Sequence, residues 1–303
     1  MLELSHVHKV YRVGAFGGGR LRAVRDVDLT VEPGQVVSLI GESGSGKSTI
    51  GKMVLGLTRA DEGRILFEGR DVSRIRGFAA RKEYYRHVQG VFQDPFSSFN
   101  PIFKADRVFE MIRSSYFPKV SDADWRERVL DAVGTVRLDP GNVLDKYPHQ
   151  LSGGQLQRLL IARALLLDIR LLVADEIISM LDASTRIDVL NLLVDLKERG
   201  LGVLFVTHDL SLGNYVSDRT VILRKGAVAE MGPTRRVFEN PLHPYSRHLL
   251  SCVPRMDRTW AEVDAERAAH PPPEIDLPTV SEGDFSAPLV EVEEGHFVGI
   301  DQG

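Results

Sequence analysis

Runs of apolar residues predict several β-strands along this chain. Residues 24–31 alternate apolar and polar positions, as in a strand that is buried on one face. Longer apolar runs are typical of strands covered on both faces, and they occupy residues 35–40, 170–176 and 201–209. A strand-like run over residues 91–95 stops at its proline. Since helical segments separate these runs, the pattern favours an α/β fold.

A glycine-rich loop follows the strand at residues 35–40, and residues 48–57 after it can form a helix. Glycines let backbone N–H groups approach phosphates, and the helix presents its N-terminus to the anion. We expect Lys47 to reach the β- and γ-phosphates and Ser48 to offer its hydroxyl to Mg²⁺. The predicted nucleotide site comprises Gly41, Glu42, Ser43, Gly44, Ser45, Gly46, Lys47, Ser48 and Thr49.

Polar residues also stand where the later strands end, which is where α/β sheets bind ligands. Asp175 is expected to hold Mg²⁺, directly or through water, and Glu176 to orient and polarise the attacking water as general base. His208 is a candidate for sensing the γ-phosphate, and Gln93 for touching both Mg²⁺ and that water. Tyr11, on the first strand, can stack on adenine, with core packing as the alternative.

Whole-chain properties exclude several classes of protein. The 303 residues carry a formal net charge of −4, so no basic surface predicts nucleic-acid binding. Cys252 is the single cysteine, which excludes an internal disulfide and a cysteine-held metal cluster. The sequence shows neither an uninterrupted apolar run of about 20 residues nor a secretory leader. We therefore expect a cytoplasmic chain that reaches a membrane only through a partner.

These motifs, in this order, resemble those of the ATP-binding subunits of ABC transporters, and the resemblance covers residues 2 to about 232. Residues 41–49 resemble the Walker A motif, residues 171–176 the Walker B motif, and Leu-Ser-Gly-Gly-Gln at residues 151–155 the signature. The remaining matches are Tyr11 with the adenine-stacking aromatic, Gln93 with the Q-loop, residues 179–182 with the D-loop and His208 with the switch histidine.

Three further segments are similar to the oligopeptide, dipeptide and nickel uptake systems of that family. They are residues 94–101, 240–250 and 288–298. The resemblance implies an α/β fold: a RecA-like P-loop ATPase core with an antiparallel β subdomain, an inserted α-helical subdomain and a short C-terminal extension. The implied boundaries are 1–235 for the ATPase domain, about 95–168 for the helical insertion and 236–303 for the extension. Within the extension we expect a solvated helix, a stiff proline linker and a final strand.

The resemblance also implies how ATP is used. ATP would be sandwiched between the glycine loop of one subunit and the signature of another. The signature residues that would face the γ-phosphate are Ser152, Gly153, Gly154 and Gln155, with a helix that starts near Gln155. A helix N-cap with a flexible turn is the alternative interpretation. The implied cofactors are ATP and Mg²⁺, with Ser48, Gln93 and Asp175 as the metal ligands.

The implied partners are a second ABC ATPase subunit, identical or different, two transmembrane permease subunits and, indirectly, an extracytoplasmic solute-binding protein. The chain would lie peripherally on the cytoplasmic face of the cell membrane. The helical insertion would receive a short helix of a membrane subunit. Candidate contacts, with core packing as an equal alternative, are Phe96, Phe99, Phe103 and Phe109.

Two departures from the family pattern leave alternatives open. Many relatives carry a four-cysteine iron–sulfur site in the extension, which this chain cannot form. The family usually has proline, threonine and alanine where this chain has Ile177, Ile178 and Met180. One alternative is therefore a regulatory subunit that binds ATP but hydrolyses it weakly; another is an importer of oligosaccharide or nickel. A soluble ABC protein of DNA repair or translation and a small-molecule kinase fit the motifs less well.

Overall fold

The structure of the protein, a computed structural model, describes residues 1–13, 19–252 and 288–299. The strands are β1 (Leu2–Val13), β2 (Gly19–Val31), β3 (Val36–Ile40), β4 (Glu62–Phe67), β5 (Arg70–Asp71), β6 (Val88–Val91), β7 (Leu171–Asp175), β8 (Gly202–Thr207), β9 (Arg219–Arg224), β10 (Ala227–Pro233), β11 (Leu289–Glu293) and β12 (His296–Gly299). The helices are α1 (Lys47–Val54), α2 (Phe78–His87), α3 (Arg107–Tyr116), α4 (Asp122–Thr135), α5 (Pro140–Val143), α6 (Gly153–Leu165), α7 (Ala183–Glu198), α8 (Leu210–Val216), α9 (Thr234–Glu239) and α10 (Pro244–Ser251).

The chain packs as two compact units. The first unit contains Met1–Val31, Val36–Ser73 and Phe205–Gly303, and the second contains Glu32–Gln35 and Arg74–Leu204. The chain passes from the second unit to the first within β8. These units follow the packing of the chain, and the domain boundaries expected near residues 95, 168 and 235 stay a prediction.

The first unit carries an antiparallel sheet and most of a second sheet. The antiparallel sheet has the strand order β2-β1-β4-β5, and the second sheet runs β11-β12-β10-β9-β3 in this unit. β3 pairs in parallel with β9, and every residue of β3 is buried. The strands predicted at residues 24–31 and 35–40 are confirmed within β2 and as β3. Helix α8 packs against β3, since a Cβ on Gly213 would lie 2.6 Å from Cδ1 of Ile40.

The second unit contains a parallel strand pair and a helical region. β6 pairs in parallel with β7, whose five residues are all buried. Between β6 and β7 the described chain forms helices and turns and no strand, which confirms the predicted helical insertion. Phe99 and Phe109 are buried there, so they belong to the core, whereas Phe96 and Phe103 are exposed. None of the helices in the described ranges has the length and apolar character needed to cross a membrane.

The C-terminal extension ends in a hairpin, so the prediction of one final strand is wrong. β11 and β12 pair antiparallel around a tight turn, where Gly295 has a φ of 71° that favours glycine. β12 then pairs antiparallel with β10. The sequence did not predict two strands with a turn between them, because strands of five and four residues leave only a weak pattern of apolar and polar positions. The solvated helix and the proline linker expected at residues 257–273 lie outside the described residues.

A buried carboxylate joins the extension to β10. Glu230 of β10 is fully buried. Its two oxygens accept hydrogen bonds from the backbone N–H groups of Leu242 and His243, both at 3.0 Å, and from Nε2 of His296 at 2.7 Å. Burial by itself raises the pKa of Glu230, yet these hydrogen bonds hold the pKa below its ordinary value. The ionised carboxylate therefore ties the start of α10 and β12 to β10.

Glu230→Gln is expected to lower the free energy of unfolding at pH 7 by about 1–3 kcal/mol, because buried donors lose an ionised acceptor. Since folding lowers the pKa of Glu230, its stabilisation is complete above the unfolded value of about 4.3 and is lost as the pH falls through the folded value. Urea unfolding should show a constant difference between the two proteins from pH 8 down to about pH 5, and convergence only below about pH 4.

The matched control is Glu239→Gln, which changes an exposed carboxylate on α9 and should leave unfolding within about 0.5 kcal/mol of wild type. Equal stability of Glu230→Gln and wild type at pH 7, or a difference that grows as the pH falls, would contradict the role given to Glu230.

Candidate nucleotide-binding site

The glycine loop after β3 has a backbone that side chains could not adopt. Gly41, Gly44 and Gly46 have φ values of 157°, 81° and 106°. A Cβ on Gly41 would lie 2.3 Å from the carbonyl oxygen of Leu223, and one on Gly46 would lie 2.3 Å from that of Ala23. A Cβ on Gly44 would meet no atom within 4 Å. Gly41 and Gly46 therefore pack closely against neighbouring backbone of the first unit, whereas Gly44 faces open space. A loop that binds an anion through its backbone N–H groups requires such an open side.

Lys47 and Ser48 lie in the first turn of α1, directly after these glycines. The Lys47 side chain is buried, and its Nζ donates to the carbonyl oxygens of Gly41 at 2.7 Å and Glu42 at 2.8 Å. The N–H of Gly226, in the turn between β9 and β10, donates to the carbonyl of Ser45 at 3.1 Å. The ammonium group and the N-terminus of α1 thus face the same loop, and both favour bound phosphate.

Tyr11 and His208 also belong to the first unit. The Tyr11 ring on β1 is half-buried, with Nζ of Lys9 5.4 Å from the ring centroid, which satisfies one face of the ring by a cation–π contact. His208 follows β8 and is exposed. Asp209 caps α8 by accepting the N–H of Leu212 at 3.2 Å, which fixes the direction of the chain just after His208. Adenine stacking and γ-phosphate sensing stay predictions for these two residues.

In the second unit, the paired carboxylates stand where β7 ends. Asp175 is the last residue of β7 and is buried, whereas Glu176 is half-buried. Glu176 has a φ of 52°, in the left-handed region that residues other than glycine rarely adopt. Its carbonyl accepts from the N–H of Ser179 at 3.2 Å and from the Ser179 hydroxyl at 2.9 Å. This tight turn holds a strained conformation at the predicted general base, as active sites often do.

The unusual residues after Glu176 divide between the core and the surface. Ile177 and Ile178 are buried inside the second unit, and Met180 is exposed over 61% of its surface. Asp182 then caps α7, accepting from the Thr185 N–H at 3.0 Å. Hydrogen bonds from the hydroxyl of Ser184 and from Thr185 hold the pKa of Asp182 well below its usual range. The two isoleucines therefore act in packing, and Met180 alone changes the exposed surface of this loop.

The signature begins α6 two residues earlier than predicted, at Gly153 rather than near Gln155. Ser152 is the N-cap: its hydroxyl accepts from the N–H of Gln155 at 3.2 Å, and Oε1 of Gln155 accepts from the N–H of Ser152 at 2.9 Å. This reciprocal capping box moves the start of the helix forward. Gly154 has a packing reason to lack a side chain, since its Cβ would lie 2.2 Å from Cγ2 of Thr185.

Gln93 lies just after β6 and is exposed. Gln157 of α6, which sequence reasoning missed, is fully buried, and its Nε2 donates to the carbonyl of Phe92 at 3.3 Å. The signature helix is therefore hydrogen-bonded to the residue that precedes the predicted Q-loop glutamine. The signal that could have found Gln157 is a polar residue within the apolar run of α6, because buried amides require partners.

The predicted site residues fall into two groups, one in each unit. Tyr11, His208 and residues 41–49 belong to the first unit; the second unit carries Gln93, Ser152, Gly153, Gly154, Gln155, Asp175 and Glu176. Of the predicted Mg²⁺ ligands, Ser48 is in the first unit, and Gln93 and Asp175 are in the second. The hydroxyl, amide and carboxylate oxygens of these three residues fit the hard-cation chemistry of Mg²⁺, and their roles stay predictions.

Comparisons with known proteins agree with this geometry. A family model described as "ABC transporter" matches residues 24–179, and one described as "Oligopeptide/dipeptide transporter, C-terminal region" matches residues 229–282. The oligopeptide transport ATP-binding protein OppF of Bacillus subtilis (strain 168) is 37% identical over 300 residues, which are 98% of this chain and 95% of that protein. AmiF of Streptococcus pneumoniae, with the same descriptive name, is 36% identical over 95% of this chain and 92% of its own length.

Solved structures give the same result. The dimeric post-hydrolysis structure of the ATP-binding cassette MJ0796, bound to ADP and Pi, superposes with a TM-score of 0.69 at 30% identity and covers 78% of this chain and 99% of that one. Fold and loop define a P-loop ATPase of the α/β class with a RecA-like core, which confirms the predicted fold class. The chain belongs to the ABC transporter family, and as an ATPase of that family it uses ATP and Mg²⁺.

Lys47→Ala is expected to weaken ATP binding by about 10- to 100-fold, because the charged hydrogen bonds of the ammonium group to phosphate are lost. Isothermal titration with MgATP measures this affinity. Lys52→Ala, which removes an exposed lysine from the same helix, is the matched control and should bind ATP as wild type does. Undiminished affinity in Lys47→Ala would argue against the phosphate-binding role of the loop.

Proposed function

We propose that this chain is the ATP-binding and hydrolysing subunit of an ABC importer that powers uptake of oligopeptides or dipeptides across the cytoplasmic membrane. The observation that carries the proposal is the segment at residues 229–282, which begins within β10, because it matches the family model described for the C-terminal region of oligopeptide and dipeptide transporters. Support for peptide over other solutes comes from the names of the relatives that match nearly the whole chain.

Binding of ATP rests on the first unit. The backbone N–H groups of the glycine loop and the N-terminus of α1 take the phosphates, and Lys47 exchanges its carbonyl acceptors for phosphate oxygens. Tyr11 supports the adenine. Ser48, Gln93 and Asp175 would hold Mg²⁺, which would supply positive charge against the charge that develops on the phosphates.

Hydrolysis uses Glu176 as general base, with its carboxylate held in position by the left-handed turn that follows β7. Gln93 and His208 contact the attacking water and the γ-phosphate. The signature of a second ATPase subunit closes the site through the N-terminus of its α6, whose first N–H groups have no partner within the helix. Loss of the γ-phosphate then removes the charge that holds the two subunits together.

Docking to a membrane subunit is assigned to a groove on the helical insertion. Ile102, Phe103, Met111 and Tyr147 line it with exposed apolar surface, and the guanidinium of Arg107 lies 3.8 Å from the Phe103 ring centroid. An exposed apolar groove rimmed by charge is typical of a protein-binding surface. Two permease subunits and, through them, an extracytoplasmic solute-binding protein complete the proposed assembly, with this chain peripheral on the cytoplasmic face.

Glu176→Gln is expected to keep ATP affinity within about threefold of wild type and to lower steady-state hydrolysis by roughly 10²–10⁴-fold, because the general base is lost. Sedimentation should show an ATP-dependent dimer that persists in this variant. Glu198→Gln, an exposed change on α7, is the control and should hydrolyse ATP normally. Equal turnover of Glu176→Gln and wild type would refute the general base. Tight ATP binding with no turnover that depends on Glu176 would favour the weakly hydrolysing regulatory subunit.

Met111→Glu is expected to reduce ATP-driven peptide uptake by about tenfold or more in vesicles that hold the membrane subunits, because an interface would bury an unpaired charge. Hydrolysis by the isolated chain should not change, since Met111 is exposed on α3. Ala123→Glu places the same charge on exposed α4 and should not affect uptake. Normal uptake by Met111→Glu would exclude this groove, and uptake of oligosaccharide or nickel alone would overturn the peptide assignment.

A further inference from the structure

One tyrosine of the C-terminal extension reaches the phosphate-binding loop. Tyr245 is the second residue of α10, and its hydroxyl oxygen accepts a hydrogen bond from the backbone N–H of Glu42 at 3.4 Å. Glu42 is the second residue of the glycine loop. About 200 residues of sequence separate the two partners, so the contact is made by the fold and not by local chain geometry.

The peptide unit that Tyr245 contacts is held from its other side by the predicted phosphate-binding lysine. The carbonyl of Gly41, which shares this peptide unit with the N–H of Glu42, accepts from Nζ of Lys47 at 2.7 Å. The carbonyl of Glu42 accepts from the same Nζ at 2.8 Å. Both polar groups of this residue's main chain therefore have assigned partners, one on the extension and one in the active loop. A shift of Glu42 would therefore move the carbonyl groups that bind the Lys47 ammonium group before phosphate does.

The position of Tyr245 is itself fixed by a buried network. The backbone N–H of Tyr245 donates to Nδ1 of His243 at 3.0 Å, and the N–H of His243 donates to the carboxylate of Glu230. His296 of β12 donates to the same carboxylate, and Glu230 and His296 are fully buried. A continuous chain of hydrogen bonds thus runs from the last strand, through Glu230 and His243, to Tyr245 and the glycine loop.

The Tyr245 side chain has little room to move. Its ring packs with Ile222, Ala229 and Val237, and the guanidinium of Arg224 lies 5.3 Å from the ring centroid. Burial raises the pKa of Tyr245, so the phenol keeps its proton at neutral pH and stays a hydrogen-bonding hydroxyl. A ring fixed on several sides is suited to hold a loop in one conformation.

We propose that Tyr245 is a positioning residue that presets the phosphate-binding loop, so that the C-terminal extension tunes the affinity of this ATPase for ATP. The hydroxyl holds the N–H of Glu42 and, through that peptide unit, the carbonyl of Gly41 that accepts from Lys47. Without the hydroxyl, part of the protein has its loop in conformations that bind phosphate poorly. The apparent affinity for ATP then falls in proportion to the fraction of protein that keeps the binding conformation. Bond making and breaking on ATP do not involve Tyr245, so turnover at saturation is unaffected.

Tyr245→Phe removes only the hydroxyl and is the test. The expected result is an increase of about two- to tenfold in the KM and the Kd for MgATP, the range of one neutral hydrogen bond, with kcat within about twofold of wild type. Phe238→Leu is the packing control, because Phe238 packs against the same apolar cluster without reaching the loop. It should leave KM unchanged.

An unchanged KM and Kd in Tyr245→Phe would overturn the proposal. So would a lower kcat at unchanged KM, which is the mark of partial unfolding, or an equal rise of KM in Phe238→Leu. Repeating the Kd measurement in a Glu176→Gln background separates this inference from the proposed function. Binding there does not depend on hydrolysis, so a protein without turnover would still report whether Tyr245 sets ATP affinity.

Discussion

The fold depends on a loop whose backbone, rather than its side chains, carries the ligand-binding groups. Gly41 and Gly46 pass so close to the carbonyls of Leu223 and Ala23 that any Cβ would collide with them. Those carbonyls belong to β9 and β2, so both sheets of the first unit shape the loop. The buried parallel pairing of β3 with β9 then holds the loop where α1 begins. The strands on either side therefore hold this anion-binding loop in position.

A second constraint is the buried carboxylate of Glu230. Burying a charge is unfavourable unless donors surround it, and here two N–H groups and an imidazole do so. The same charge fixes the turn before α10 and the strand β12, so the extension is part of the first unit rather than an appended tail.

The sequence predicted the strands that are determined by the local pattern of apolar and polar residues. The alternation at residues 24–31 and the apolar run at 171–175 gave strands because burial of one or both faces leaves a direct mark on the sequence. The start of α6 was misplaced because the Ser152–Gln155 capping box was not recognised in the signature. The pairing of β12 with β10 and the contact of Tyr245 with Glu42 join segments that are distant in sequence, which no local pattern records.

The central claim is that each ATP is hydrolysed at a site that two subunits complete. The most direct measurement is the ATPase activity per chain as a function of protein concentration, alone and with a second ATPase subunit, with assembly followed by sedimentation. The account predicts activity that rises with concentration and levels off as dimers form, because a lone chain lacks the opposing signature. Activity per chain that stays constant down to concentrations where only monomers sediment would contradict it.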